Sequence, residues 1–173
     1  SDRMRTYTLQ REQHVPRALE RIFPFFERPE NLALITPPEL GFRLLTPSPV
    51  SMEQGRVIDY TIRLFGVPVR WRSLISTYDP PHCFVDEQLQ GPYSFWHHTH
   101  RFLKRGSGTL LRDEVRFALP LYLPPPLEAL VRQGGIEPML NRIFDYRRQL
   151  FRYFFESTHQ HVAASRHSAT EEA

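Results

Sequence analysis

The residues best suited to chemistry in this chain are His98 and His100, two positions apart in the run Trp96-His97-His98-Thr99-His100-Arg101-Phe102. On an extended strand, residues i and i+2 share a face, so both imidazoles project to the same side. Two imidazoles so placed can chelate a metal, with a carboxylate such as Asp86 or Asp113 completing a facial set. The same groups can serve as an acid–base relay. They can also form a buried polar network in which each histidine satisfies an aspartate. The sequence leaves these three readings open. The third ligand of the metal reading depends on how the strand Phe84–Leu89 faces. Asp86 and Gln88 lie on one of its faces and Glu87 on the other, and that pattern does not decide. The catalytic candidates are therefore His98, His100, Asp86 and Asp113, and no metal or cofactor is assigned.

Other reactive side chains are few. Cys83 is the single cysteine, which excludes an internal disulfide and a thiolate zinc site. The chain has no GxGxxG, GxxxxGK[ST], GxSxG or HExxH. The nucleotide, hydrolase and zincin readings that rest on those motifs have no support. Lys+Arg exceed Asp+Glu by 22 to 19, and Lys104 is the only lysine. The arginines form no dense stripe, so nucleic-acid binding is not expected. No apolar run reaches 18 residues, so no stable membrane insertion is expected. With no signal-like start, the expectation is a cytoplasmic domain.

The elements that must position His98 and His100 are hairpins. From Arg56 to Ala118 the pattern is β throughout, broken by Gly-, Pro- and Asp-rich turns. A two-residue turn at Gly66-Val67 sets Ile62 against Trp71, Tyr60 against Ser73 and Ile58 against Ile75. It collects Asp59, Thr61, Arg63, Arg70 and Arg72 on the opposite face. A turn at Ser107-Gly108 sets Phe102 against Asp113, His100 against Val115 and His98 against Phe117. His97, Thr99, Arg101, Arg112, Glu114 and Arg116 then fall outside. His98 and His100 are thus inward and His97 outward.

Residues 5–12 alternate as a first strand. A helix follows, with Pro16 in its first turn, Ala18, Leu19, Ile22 and Phe23 as its apolar stripe, and Pro24 near its end. Pro29–Leu32 reads as a second short helix, stopped at Thr36-Pro37-Pro38. Phe42–Leu45 reads as a strand. The apolar connection Leu121–Leu127, stiffened by three prolines, reads either as a movable lip hinged at Gly134-Gly135 or as a plain packed loop. From Gly135 a long helix repeats apolar residues at i, i+3, i+4 and i+7 for five turns, from Ile136 to Phe155. Arg147 interrupts that stripe, and a pair with inward Asp86 or Asp113 is its favoured reading. Residues 157–173 read as a polar tail carrying His159 and His161, and residues 1–3, ahead of Met4, as an appended remnant. Residues 4–156 are expected to form one domain.

This order of elements resembles the helix-grip fold of the START, Bet v 1 and polyketide-cyclase (SRPBCC) superfamily. The expected α+β architecture is a curved antiparallel sheet of about seven strands around a long C-terminal helix, with two short helices after the first strand. Asn31-Leu32, Ile35-Thr36-Pro37-Pro38, Phe84-Val85-Asp86-Glu87-Gln88, Gly91-Pro92-Tyr93 and Trp96 to Phe102 look like a bacterial ligand-binding branch of it. The resemblance covers roughly residues 4–155. It implies a cavity between sheet and helix for a lipid, isoprenoid, sterol or polyketide, and no established catalytic set comes with it. The residues expected around such a ligand are Tyr60, Ile62, Trp71, Ser73, Trp96, His98, His100, Phe117, Phe144, Arg147 and Phe151. Binding, transport or sequestration of a small hydrophobic or amphipathic ligand is the leading reading. A cyclase, dehydratase or hydrolase using the inward His and Asp residues is the alternative, and an interaction domain with a filled, vestigial cavity is a third.

Overall fold

The computed structural model describes the backbone of residues 5–168 and the side chains of residues 5–155. Seven strands form one antiparallel sheet among the described residues: β1 (Tyr7–Val15), β2 (Arg43–Leu44), β3 (Val57–Leu64), β4 (Val67–Asp79), β5 (Cys83–Gln90), β6 (Phe95–Arg105) and β7 (Gly108–Ala118). Their spatial order is β1-β7-β6-β5-β4-β3-β2, so the first two strands in sequence form the two edges. Between them run the helix α1 (Leu19–Phe26) and two 3₁₀ turns, Pro29–Ile35 and Pro38–Leu40. After β7 come α2 (Pro125–Val131), one π turn (Arg132–Ile136) and α3 (Glu137–Ser168). This is the expected helix-grip architecture.

Alternation fixed the faces of both central hairpins, but each turn lies one residue earlier than its expected place. The β3–β4 turn is Phe65-Gly66, with positive φ at both residues (51° and 81°), as a type I′ turn requires. Tyr60 therefore lies opposite Trp71, and Ile58 opposite Ser73. The stacked rings of Tyr60 and Trp71, centroids 5.8 Å apart, help offset the strain of a left-handed Phe65. The β6–β7 turn is Gly106-Ser107, where Gly106 carries the positive φ of 58°. It sets His100 opposite Asp113, His98 opposite Val115 and Trp96 opposite Phe117. Sliding a two-residue turn by one position moves the register by two, and period two preserves every facing.

Other boundaries moved for local reasons. β1 continues to Val15 because pairing with β7 carries it past polar Glu12-Gln13-His14. Pro16 precedes α1 rather than sitting in its first turn, since Ala18, still extended, is the N-cap. The expected single helix from Gly135 begins ten residues earlier in backbone terms, as α2, and passes through the π turn that holds Gly134-Gly135. A Cβ on Gly135 would come within 3.1 Å of the Phe65 ring at the β3–β4 tip, so glycine lets the hairpin approach the helix there. The segment 157–173, read as a tail, and residues 1–3 lie outside the residues whose side chains are described. The backbone of α3 runs on through Ser168.

α3 is fastened to one side of the sheet. Arg11 of β1 donates to Asn141 (2.9 Å) and pairs with Asp145. Gln13 donates to the Arg148 carbonyl (3.2 Å), and Arg148 donates to the Glu12 carbonyl (2.9 Å). Beneath these bonds the inward residues of β7 are fully covered, with Val115 0% and Phe117 1% exposed. α1 and Phe151 extend this packed region through Phe23, Phe26 and Phe102.

Candidate functional site

Because α3 is held over β1 and β7, the sheet curves away from it toward β3 and β4. Two register shifts in the β4–β5 pairing, at Arg72/Ser73 and Ile75/Thr77, add to that curvature. The result is a cavity of about 200 Å³. Its floor is the inward row of β3 to β6: Ile58, Tyr60, Ile62, Leu64, Trp71, Ser73, Ile75, Phe84, Asp86, Trp96, His98 and His100. Met139, Leu140, Ile143, Phe144 and Arg147 of α3 roof it. Phe25, Phe26, the 3₁₀ segment from Pro29 to Leu40, Phe42 and Met52 close the remaining side.

Nine of the expected wall residues line this cavity: Tyr60, Ile62, Trp71, Ser73, Trp96, His98, His100, Phe144 and Arg147. Phe117 and Phe151 do not. Phe117 is packed against Tyr7 and Tyr93 under α3, and Phe151 against Phe25 and Phe26. Nor does the connection Leu121–Leu127 form a lip. None of its residues lines the cavity, and Leu121 and Tyr122 point to solvent. The rim is built instead by Pro29–Leu40, where the expected short helix and proline stop are two 3₁₀ turns.

Tyr93 is the notable wall residue that facing arguments passed over. Gln88 donates to the Tyr93 carbonyl (2.7 Å) and accepts from the Tyr93 N–H (3.0 Å). A Cβ on Gly91 would lie 2.6 Å from Gln88 Oε1. Glycine in Gly91-Pro92-Tyr93 thus makes room for the clamp that sets the Tyr93 ring against Trp71, Trp96 and Phe117. The signal was the motif itself. Trp71 Nε1 and the Tyr93 hydroxyl are both buried without a hydrogen-bond partner.

The ionisable groups that β5 and β6 bring to the wall form one cluster with Asp113 and Arg147. β6 is flanked by β5 and β7, so its inward histidines meet an inward aspartate on each side. His98 Nε2 lies 2.8 Å from Asp113 Oδ1 on β7, and His100 Nε2 lies 2.6 Å from Asp86 Oδ2 on β5. Asp86 therefore faces inward, the point that its strand pattern left undecided. The two imidazoles stack, centroids 3.6 Å apart, and Phe84 stacks on His100 at 4.0 Å. Trp96 Nε1 donates to Asp86 Oδ1 (3.2 Å). Arg147 of α3 hydrogen-bonds Asp113 Oδ2 and lies over the Phe144 ring at 4.8 Å. The expected internal pair of Arg147 is thus with Asp113. Asp113 itself sits behind the histidines, off the main cavity wall. His97 points the other way, between Glu87 and Arg116 in the ladder.

Charge balance sets the protonation. Burial pushes the Asp113 carboxyl up, but Arg147 and then His98 outweigh it and hold the group well below the usual carboxylate range. Burial likewise opposes ionisation of Asp86, and the His100 hydrogen bond with the charge of both histidines brings it below its ordinary value. His100 is held below its ordinary value by burial and then by the charge on His98, against the pull of Asp86 and Asp113. Burial and then Asp86 push the Tyr60 hydroxyl far up, so it stays neutral. The cluster presents two carboxylates, one guanidinium, and an imidazole kept neutral beside the cavity.

No protein-family model matches the chain, and no curated protein matches its sequence. Solved structures do match its fold. A START superfamily protein from Mycobacterium smegmatis superposes with a TM-score of 0.63 at 12% identity, covering 87% of this chain and 98% of that one. A Thalictrum flavum norcoclaurine synthase point mutant, in complex with a transition-state analogue, gives 0.61 at 14% identity over 87% and 97%. The di-domain ARO/CYC StfQ from the steffimycin biosynthetic pathway gives 0.69 at 16% identity over 90% of this chain and 52% of that one. The chain has the fold of START-type, cyclase-type and Bet v 1-like proteins, as its element order and motifs led one to expect.

Proposed function

We propose that this helix-grip chain binds a small, largely apolar molecule between its sheet and α3. The observation that carries the reading is the open cavity itself. Apolar and aromatic side chains form most of its wall, and a few convergent polar groups lie to one side, the usual make-up of a small-molecule site. Two unpartnered donors on rings of that wall, Trp71 Nε1 and the Tyr93 hydroxyl, support a ligand that brings an oxygen acceptor. The ligand in this reading is hydrophobic or amphipathic and held for transport or sequestration, with the chain in the cytoplasm; norcoclaurine synthase, solved with a transition-state analogue, shares the fold.

The neutral, aspartate-bonded His100 on the wall favours one second reading. There the Asp86–His100 pair takes a proton from the bound molecule, in a cyclase, dehydratase or hydrolase reaction, with His98, Asp113 and Arg147 balancing charge. Titration with the neutral fluorophore N-phenyl-1-naphthylamine tests the shared premise. Saturable binding at one site is expected, weakened at least about tenfold in Ile62→Phe, whose larger ring fills the cavity. Absence of saturable binding, or equal binding by the variant, overturns it.

A further inference from the structure

We propose that Asp86, His98 and His100 form a site for a divalent transition-metal ion on the cavity wall. Each offers a ligand atom, and these atoms all lie within 4.8 Å of one another. The set is two imidazoles and one carboxylate, a combination that suits zinc, iron or cobalt rather than magnesium or calcium, which take oxygen ligands. Alternation on β6 placed the histidines together, and the inward facing of β5 adds the third ligand.

The groups behind these three are arranged as a metal centre's supporting residues are. His98 turns Nε2 to Asp113 (2.8 Å), which leaves Nδ1 toward Asp86 Oδ2 (3.6 Å). His100 has Nε2 at the same oxygen (2.6 Å) and Nδ1 3.5 Å from Asp113. One aspartate thus faces the far nitrogen of both rings, and Arg147 anchors that aspartate. Trp96 holds the other oxygen of Asp86. Carboxylates that orient ligating histidines from behind are the rule in such centres. Stacked rings aim their lone pairs along nearly parallel planes, 26° apart, so one ion between them requires the rings to splay. The cavity beside them gives the space, and it leaves the ion's remaining positions open to water or to an oxygen of a bound molecule.

The test uses the whole 173-residue chain stripped with a chelator, in which His159, His161 and His167 are replaced by Ala so that their imidazoles take up no ion. Co(II) is added and followed by its visible absorption, and Zn(II) by calorimetry, with Mg(II) as control. The expected result is uptake of one Co(II) or Zn(II) per chain and none of Mg(II). Affinity should fall about 10- to 100-fold in Asp113→Asn, which keeps the three ligands. It should fall further in His100→Gln and Asp86→Asn, and stay unchanged in His97→Ala. Should His100→Gln or Asp86→Asn fail to fold, hyperfine-shifted ring-proton signals from two histidines in the Co(II) form of the otherwise unaltered protein decide the matter. No stoichiometric uptake, or equal loss in His97→Ala and His100→Gln, overturns the site. A chain that binds the naphthylamine probe but no ion refutes this proposal and leaves the ligand reading standing.

Discussion

One sheet builds two unlike interiors. Over β1 and β7 the inward residues meet α3 directly, and Val115 and Phe117 are sealed. Over β3, β4 and β5 the same alternation delivers Ile62, Tyr60 and Trp71 to a cavity. Both halves use apolar residues on the inward face, so the difference lies in where the helix is tied. Polar bonds from Arg11, Gln13 and Arg148 fix α3 at the β1 edge, and curvature carries the other edge away from it. The His–Asp–Arg cluster lies on the seam, with Asp113 on the packed side and Asp86 on the open side. A fold of this kind makes its cavity by anchoring one flank rather than by omitting side chains.

The sharpest way to break this comparison is truncation in the packed half. Phe117→Ala should cost about 3–5 kcal/mol in denaturant unfolding, because nothing around it can collapse to fill the void. A cost below about 1 kcal/mol would show that this half is not tightly packed. At the seam, Arg147→Ala leaves Asp113 buried without its guanidinium, held by His98 alone, with an expected loss of about 3 kcal/mol. A melting temperature equal to the parent's would remove Arg147 from the cluster.

Acid should loosen the seam in two stages. His100 titrates below its ordinary value in the fold, so the unfolded chain takes up that proton first and stability begins to fall below about pH 6.5. Asp86 and Asp113 are held below the ordinary carboxylate range, so their contribution is complete above about pH 3.9 and is lost as pH drops through their folded values. Urea midpoints measured between neutral and strongly acid pH should trace both declines. Midpoints that stay level throughout would contradict the protonation states assigned here.

Smaller effects sharpen the facing. His98→Ala or His100→Ala should cost about 1–3 kcal/mol by removing one hydrogen bond from a buried aspartate. His97→Ala, on the opposite face, should shift stability by no more than about 0.5 kcal/mol. Similar losses at all three would undo the β6 assignment. In the open half, Ile62→Phe should change stability by less than about 1 kcal/mol, where the same enlargement in a packed core costs about 1–3. A larger loss would mean that the wall has no room.

Faces were legible from the sequence and distances from the helix were not. Period two sorted both hairpins even though each turn was placed one residue late, because that slide preserves facing. The same alternation could not tell Phe117, which is packed, from Ile62, which is on the cavity wall, since both are inward apolar residues. Phe151 follows the α3 stripe but meets α1, whose position the stripe does not contain. The cavity rim at Pro29–Leu40 has no periodic signal, being 3₁₀ turns set by proline. Asp86 was recognised as a candidate without its direction, because its strand alternates acid with acid and amide. Pairing with β6, a long-range contact, supplied that direction.

In the proposed function the open half holds a molecule. Native mass spectrometry of freshly purified protein, paired with organic extraction of the same sample, tests it most directly. A fraction of the chain should carry a discrete added mass, with a matching small apolar compound in the extract and a marked loss of both in Ile62→Phe. A bare chain mass with nothing specific in the extract, together with no saturable uptake of N-phenyl-1-naphthylamine, would contradict it.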